Sequence, residues 1–450
     1  MVHDKYSCLI FCRIMKISIS GIRGIYGSDL NLHEIGKFTR LFASSMIKLD
    51  GECVISRDTR PSSRIIAEFV SANLMKEGID VYNLDVAPTP IVFRESRKYK
   101  GGLVITASHN PLEWNGLKFI INGRGLFENE LDFMLGGKDT SRPDKFGKLF
   151  DIVSNYEDEV LDLIPKQDKN NGIFGLDLGG GAACGYSNQL FGKIGKKIYS
   201  INDIYGMSSR GPDPTTDDLM QLRKLVVSNH LDLGFAFDLD GDRLVVINKK
   251  GEKLGVDATL LICIASSINI GMKKFVASID TSLSVEKYVV ENGGRLYYSK
   301  VGEANVVNKM LEVDADAGGE GSSAGFIMPK FNMCRDGLLS SAIISSNIKV
   351  IEKCLGFSSQ YNQIRSKIFT DSPIQTKLID KLRDILKVES SEVLTIDGLK
   401  AIVDDDSWIL IRPSNTENAI RISVESKISR VQSLYKETIE RVQQVYDQVK

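Results

Sequence analysis

Histidine is scarce here: four in 450 residues, the last of them His230. That scarcity removes the best-known serine chemistry. The stretch GSSAG (321–325) matches a nucleophile elbow around Ser323, but such hydrolases run serine, acid, histidine along the chain. No histidine follows Ser323, and Pro329 stands where the helix after the elbow should be. Cysteine is sparse too. Cys8, Cys12, Cys53, Cys184, Cys263, Cys334 and Cys354 are odd in number and lack zinc-ribbon spacing. They read as reduced thiols of a cytoplasmic protein.

Excess charge is missing as well. Lys and Arg total 57 against 58 Asp and Glu, a net charge of −1 with no basic block. Nucleic acid and anionic membranes are therefore not expected partners. No run approaches the roughly 20 apolar residues that cross a bilayer. The opening MVHDKYSCLIFCRIMK has an apolar patch without a basic leader or a cleavage site, so residues 1–14 read as a tail or an upstream start. Two nucleotide signatures are incomplete. IFGLDLGGGAACG (173–185) has Cys184 where the last fingerprint glycine belongs, and GKIGKK lacks the Ser/Thr of a phosphate loop.

What is present is an ordinary soluble composition, 42% hydrophobic and 26% charged, at a length that needs three or four domains. Apolar residues recur at helical spacing over 61–78, closing at Gly78, and the strand-like DVYNLDV (80–86) follows. Repeated strand–helix alternation of this kind predicts α/β domains with largely parallel sheets. Polar breaks place the domains at 1–150, 151–253, 254–370 and 371–450. The last one differs, with a strand pair, the alternating AIRISVES and a terminal helix.

Four polar loops follow the apolar runs: TASHNP (106–111), DLDGDR (238–243), GGEGSS (318–323) and RPSNTEN (412–418). In DLDGDR, a turn at Gly241 lets Asp238, Asp240 and Asp242 converge. Three carboxylates that close are prohibitive without a cation, and all-oxygen ligands suit Mg²⁺, Mn²⁺ or Ca²⁺. An EF-hand fails, because Arg243 takes its glycine position and Lys249 its glutamate position. RPSNTEN with AIRISVES offers the forked donors of Arg412 and Arg421 beside Ser414, Asn415 and Thr416, a set suited to a phosphate dianion. In TASHNP, Ser108 adjoins His109, yet neighbours at a strand end are expected to point apart. In SGIRGIYG (20–27), Arg23 lies between glycines and is expected on a tight loop.

In order and spacing, TASHNPxxxNGxK, DxDGDR, GGEGS and RPSNTE closely resemble the α-D-phosphohexomutase family over residues 16–450. The resemblance implies three similar mixed α/β domains and a smaller C-terminal TATA-binding-protein-like α+β domain around a central cleft. It implies phosphate movement between the 1- and 6-positions of a hexose through a bound 1,6-bisphosphate. Ser108 would be the phosphoserine, its phosphate joining Asp238, Asp240 and Asp242 around one Mg²⁺ per site. A phosphoserine adds about −1.5 to −2 charge, so a metal there is physically required.

Carried over further, Arg23 and Lys118 would serve proton transfer and charge stabilisation, and Arg243 would meet the transferring phosphoryl group. Lys118 could act as a base only with a depressed pKa. His109 would support the serine loop. Gly302, Glu320 and Ser322 would meet the sugar, while Arg412, Ser414, Asn415, Thr416 and Arg421 hold the non-reacting phosphate. A glucose 1,6-bisphosphate-type activator would prime the serine, and a cytoplasmic monomer or homodimer is expected. Glu303 occupies a position where bacterial phosphomannomutase/phosphoglucomutases tend to carry histidine, and Asn418 replaces a proline. These departures resemble archaeal-type members. The expected substrates are glucose and mannose phosphates, with glucosamine phosphates as the alternative.

Overall fold

The computed structural model describes residues 15–450 apart from 49–50, 139–144, 165–171, 324 and 415–417. Its first sheet runs Lys16–Ser18, Gly21–Ile25, Trp114–Ile121, Gly101–Ile105, Glu52–Arg57, Asp80–Val86, Leu149–Asp151, with Arg124–Gly125 paired on Trp114–Ile121. The second runs Lys197–Ile201, Ile173–Asp177, Leu233–Phe237, Leu244–Asn248. The third runs Arg295–Ser299, Lys274–Ser278, Ala317–Glu320, Gly325–Ile327. These last two share one pattern: three parallel strands and an antiparallel fourth.

That pattern explains the spacing of the polar loops. In each of the first three sheets, a loop links a strand with parallel neighbours to the antiparallel strand beside it. TASHNP joins Gly101–Ile105 to Trp114–Ile121, DLDGDR joins Leu233–Phe237 to Leu244–Asn248, and GGEGSS ends Ala317–Glu320 and leads to Gly325–Ile327. The third approach is so tight that a Cβ on Gly319, whose φ is +153°, would lie 2.0 Å from the Gly325 carbonyl oxygen. Only glycine fits there.

One apolar core joins these three units. Val54 and Val104 from the first, Phe174 and Phe235 from the second, and Leu260 and Phe275 from the third belong to it. The fourth sheet is antiparallel throughout, in the order Tyr361–Phe369, Ala419–Lys427, Ser407–Pro413, Leu399–Asp404, Glu392–Leu394. The helices Ser372–Glu389 and Val431–Val449 pack Leu378, Leu382, Leu434 and Val442 against it in a separate core. Two strands fall differently from the sequence reading. Tyr361–Phe369 belongs to the fourth sheet, although its polar, half-exposed alternation reads as a break. Arg23 sits on the strand Gly21–Ile25, paired with Lys16 and Gly116, because the flanking glycines admit close strand neighbours rather than a loop.

The fourth unit meets the third at a buried polar seam. Lys400 Nζ donates to the Ile279 carbonyl at 2.8 Å and lies 4.2 Å and 4.5 Å from the ring centres of Tyr298 and Trp408. Glu425 accepts from Trp408 Nε1 at 2.6 Å and from the Leu283 amide at 2.8 Å. Burial draws the Lys400 pKa down to about 8 and pushes Glu425 up to about 7. From about pH 8 to an unfolded value near 10.4, the unfolded chain holds the Lys400 proton and the folded one does not. Stability therefore rises with pH across that window. Glu425 acts oppositely below pH 7, where the folded state holds the extra proton. Lys400→Met should remove the rise in unfolding temperature between pH 8 and 10; a retained rise would refute this account.

Candidate active site

Ser108 and the three aspartates lie on the loops that follow Gly101–Ile105 and Leu233–Phe237, Glu320 ends the strand Ala317–Glu320, and Arg23, Lys118, Arg412 and Arg421 lie on strands. Ser108 is buried with φ +51°, a left-handed conformation that a serine adopts only when held. Arg60 holds it. Its Nη2 donates to the carbonyls of Ser108 and Asn110 (2.7 Å for Asn110), and its Nη1 to those of Pro111 and Trp114 (2.9 Å for Trp114). Its Nε donates to Asp58 Oδ2 at 2.9 Å, so all five N–H groups are engaged. Asp58 also accepts from Thr106 Oγ1, which in turn accepts from the Ser108 amide at 2.8 Å. The left-handed turn corrects one expectation: Ser108 Oγ and His109 Nδ1 do not point apart but lie 3.3 Å from each other. Burial, with Arg243 and Arg23 nearby, pulls His109 down to about 2, so its ring is neutral.

DLDGDR crosses directly opposite. Ser108 Oγ donates to Asp238 Oδ2 at 3.0 Å. Gly241 turns the loop at φ +71°, and the three aspartates can each place an oxygen within 4.8 Å of the others. Their remaining oxygens are oriented by the protein. Asp238 Oδ1 accepts from the Arg243 amide, Asp240 Oδ2 from Thr89 Oγ1 at 2.6 Å, and Asp242 Oδ2 from Lys118 and Arg335. Asp240 Oδ1 and Asp242 Oδ1 are buried with no hydrogen-bond partner. Two orphaned carboxylate oxygens beside a third carboxylate and a serine hydroxyl form a donor set that fits Mg²⁺. Burial and then mutual repulsion raise the pKa values of Asp238 and Asp240. Asp242 goes the other way: burial would raise it, but Arg335, Lys118 and Arg243 prevail.

Lys118 completes a closed ring of alternating charge. Its Nζ lies 3.3 Å from Asp242 and 3.4 Å from Glu303. Arg335 lies 2.7 Å from Asp242 and 3.2 Å from Glu303. Burial alone would depress the Lys118 pKa, yet Glu303, Asp242 and Asp240 outweigh it and raise it. These carboxylates favour the charged form of Lys118. Arg23 reaches the serine loop from its strand, donating to Asn110 Oδ1 at 3.0 Å and the Ala107 carbonyl at 3.3 Å. Arg243 Nε is buried without a hydrogen-bond partner, 4.0 Å from Asp242 Oδ1.

Glu320 joins this network from the GGEGSS loop. It accepts from the Gly302 amide at 2.7 Å, and from Arg335 and Ser323 Oγ at 3.3 Å each. The fourth loop borders a cleft of about 500 Å³ lined by Arg412, Arg421, Arg365, Lys367, Asp280 and Ser423. Arg421 Nε donates to Ser414 Oγ at 3.2 Å, and Arg412 lies 3.6 Å from Asp397. Asn415, Thr416 and the Ser322 side chain lie outside the described residues.

Four domain families described as phosphoglucomutase/phosphomannomutase match in order: alpha/beta/alpha domain I over residues 15–133, domain II over 154–251, domain III over 256–361 and the C-terminal domain over 369–439. A probable phosphoglucosamine mutase of Methanobrevibacter smithii is 31% identical, covering 94% of this chain and 97% of its own. The chain belongs to the α-D-phosphohexomutase family. It is a phosphohexomutase, an isomerase of the phosphotransferase type. Another relative, a phosphoglucomutase/phosphomannomutase of Thermococcus kodakarensis, is 29% identical over 90% of this chain and 93% of its own. A phosphoglucomutase/phosphomannomutase family protein of Burkholderia thailandensis shares the fold at a TM-score of 0.82, with 23% identity over 95% of this chain and 98% of that one.

Sequence reasoning missed three members of this phosphohexomutase site. Arg60, Thr89 and Arg335 lie outside the four loops, and their types carry no signal until the fold aims them. Glu303 was visible only as a departure from the bacterial pattern.

Proposed function

We propose that this phosphohexomutase interconverts the 1- and 6-phosphates of glucosamine through a phosphorylated Ser108 and a bound 1,6-bisphosphate. The observation that carries the transfer chemistry is Ser108 Oγ held 3.0 Å from Asp238, in a trio of carboxylates with two buried, unpartnered oxygens. The sugar assignment rests on the relative from Methanobrevibacter smithii, which bears the name phosphoglucosamine mutase. Glucose and mannose phosphates, the substrates expected from the sequence, are the second reading, favoured by the Thermococcus kodakarensis relative.

A glucose 1,6-bisphosphate-type activator first places a phosphate on Ser108. The free sugar hydroxyl then attacks that phosphorus: its new O–P bond forms as the serine O–P bond breaks, and the hydroxyl proton ends, in net terms, on the serine side. The transition state is loose and needs charge and alignment more than covalent help. Lys118 and Arg243 supply fixed positive charge beside the phosphoryl group, and Arg23 braces the serine loop. Mg²⁺ held by Asp238, Asp240 and Asp242 would neutralise and polarise the phosphate oxygens. Gly302, Glu320 and Ser322 engage the sugar. Arg412, Arg421, Ser414, Asn415 and Thr416 grip the phosphate that is not reacting, so the bisphosphate can turn and return its other phosphate to Ser108. The buried free thiols Cys53, Cys184, Cys263, Cys334 and Cys354 suit a reducing cytoplasm.

A phosphorus NMR time course tests this, with Mg²⁺, a trace of glucose 1,6-bisphosphate and the 1-phosphates of glucosamine, glucose and mannose in separate tubes. Conversion of glucosamine 1-phosphate above the others supports the reading. Preference for glucose and mannose installs the second, and release of inorganic phosphate alone would mark a phosphatase.

A further inference from the structure

Arg335 belongs to none of the four loops, yet its guanidinium joins carboxylates of three different kinds. Nη2 reaches Asp242 of the metal loop at 2.7 Å, Nη1 reaches Glu320 of the sugar loop at 3.3 Å, and Nε lies 3.2 Å from Glu303. The Arg335 amide also donates to Glu303 Oε2 at 3.0 Å, fixing the start of the side chain as well as its end.

The backbone that carries Arg335 is firmly seated. Asp336 caps the buried helix Gly337–Ser346 by accepting from the Leu339 amide, and it also accepts from Tyr156 Oη at 2.6 Å and Asn332 Nδ2 at 3.0 Å. The Gly337 amide donates to the carbonyl of Gly241, the turning residue of the metal loop, at 3.3 Å. The base of the arginine and the loop it touches are thus held in register. The shared fork is what joins the two loops.

A guanidinium is planar, and its two Nη groups keep a fixed separation and orientation. Glu320 Oε2 and Asp242 Oδ2 hang on opposite arms of that fork. A turn of Glu320 toward sugar hydroxyls would pull on Nη1 and, through the plane, on Nη2 and Asp242. Asp242 Oδ1, buried and unpartnered, is the oxygen whose aim changes.

We propose that Arg335 is a positioning residue that couples sugar engagement in the third domain to the metal loop of the second. The proposal rests on the phosphohexomutase reading of the site. Coupling of this kind is reciprocal: sugar phosphate alters metal affinity by the same factor as metal alters sugar phosphate affinity.

Binding of Mn²⁺ to the full-length, unphosphorylated protein, followed by electron paramagnetic resonance with and without glucosamine 6-phosphate or glucose 6-phosphate, tests it. The wild type should show a shift in Mn²⁺ dissociation constant of about 5-fold or more with at least one of the two sugars. Arg335→Met should still bind Mn²⁺ but lose that shift. Arg335→Lys, which keeps the charge and loses the fork, should lose most of it. A side chain serving only to fill space would leave the shift intact in every variant with native unfolding temperature. An unchanged shift in Arg335→Met, or no shift in the wild type, overturns the proposal. If Arg335→Met does not fold, Arg335→Lys carries the test, and an intact shift there overturns the proposal too. Turnover measured on the same preparation separates the two levels. Mutase activity without coupling defeats only the role of Arg335, whereas no turnover of any hexose phosphate removes the underlying reading and the proposal with it.

Discussion

Ser108→Ala is expected to lower hexose phosphate turnover by on the order of 10³-fold or more, the scale seen when a covalent nucleophile is removed. No neighbouring hydroxyl can replace it. Thr106 Oγ1 already accepts from the Ser108 amide and donates to Asp58, which fixes it behind the loop. Among the described residues, Ser108 Oγ is the hydroxyl placed against Asp238, in a conformation that Arg60 enforces through the backbone. Because that clamp grips carbonyls, it survives the substitution, and the loop should keep its shape. Sugar phosphate affinity should therefore change little, since Arg412 and Arg421 border a different cleft. Phosphorus NMR for turnover and calorimetry for binding read the two effects separately. Appreciable activity in the alanine variant would end the phosphoserine assignment.

Asp240→Asn should act in opposite directions on function and stability. The amide keeps the shape of the carboxylate and an acceptor for Thr89 Oγ1, but it removes a charge from a buried trio. Burial and repulsion by its neighbours disfavour the ionised form of Asp240 in the metal-free protein. Its neutralisation should raise the unfolding temperature in the presence of a chelator. Turnover should fall by about 10²-fold or more, because a charged ligand for the cation is lost. The extra stability that Mg²⁺ confers by binding only the folded state should shrink in parallel. Thermal melts with EDTA and with Mg²⁺ measure both signs. An identical Mg²⁺ shift in variant and wild type would show that Asp240 is not a ligand.

The sequence was most legible where chemistry and chain geometry coincide. Three aspartates alternating around Gly241 form a cluster that could hold a cation, and the structure adds two orphaned oxygens to it. The α/β alternation foretold the parallel strands of the first three sheets but not the antiparallel pairs Gly21–Ile25, Trp114–Ile121 and Gly101–Ile105 in the first, and DVYNLDV became the strand Asp80–Val86. Legibility failed where one residue departs from its local rule. Ser108 is left-handed, so it meets His109 instead of pointing away from it. Lys118 looks like a candidate base in isolation, but the carboxylates that favour its charged form come from positions 242 and 303. Arg60 and Arg335 are ordinary arginines in the sequence, and only long-range folding gives them distinct partners. The strand Tyr361–Phe369 was hidden for a simpler reason: an edge strand facing solvent has a polar pattern like that of a linker.

The arginine clamp beneath the serine loop also separates shape from spelling. All four of the loop contacts made by Arg60 are to carbonyl oxygens, which every amino acid supplies. The exposed side chains of Pro111, Leu112 and Glu113 contribute nothing to that grip. In a saturation-mutagenesis survey, positions 112 and 113 would accept wide vocabularies while position 60 accepted almost none. The most permissive stretch of the loop and its least permissive determinant are thus about fifty residues apart in the chain, and a designer could rewrite the surface of the serine turn without touching the residue that folds it.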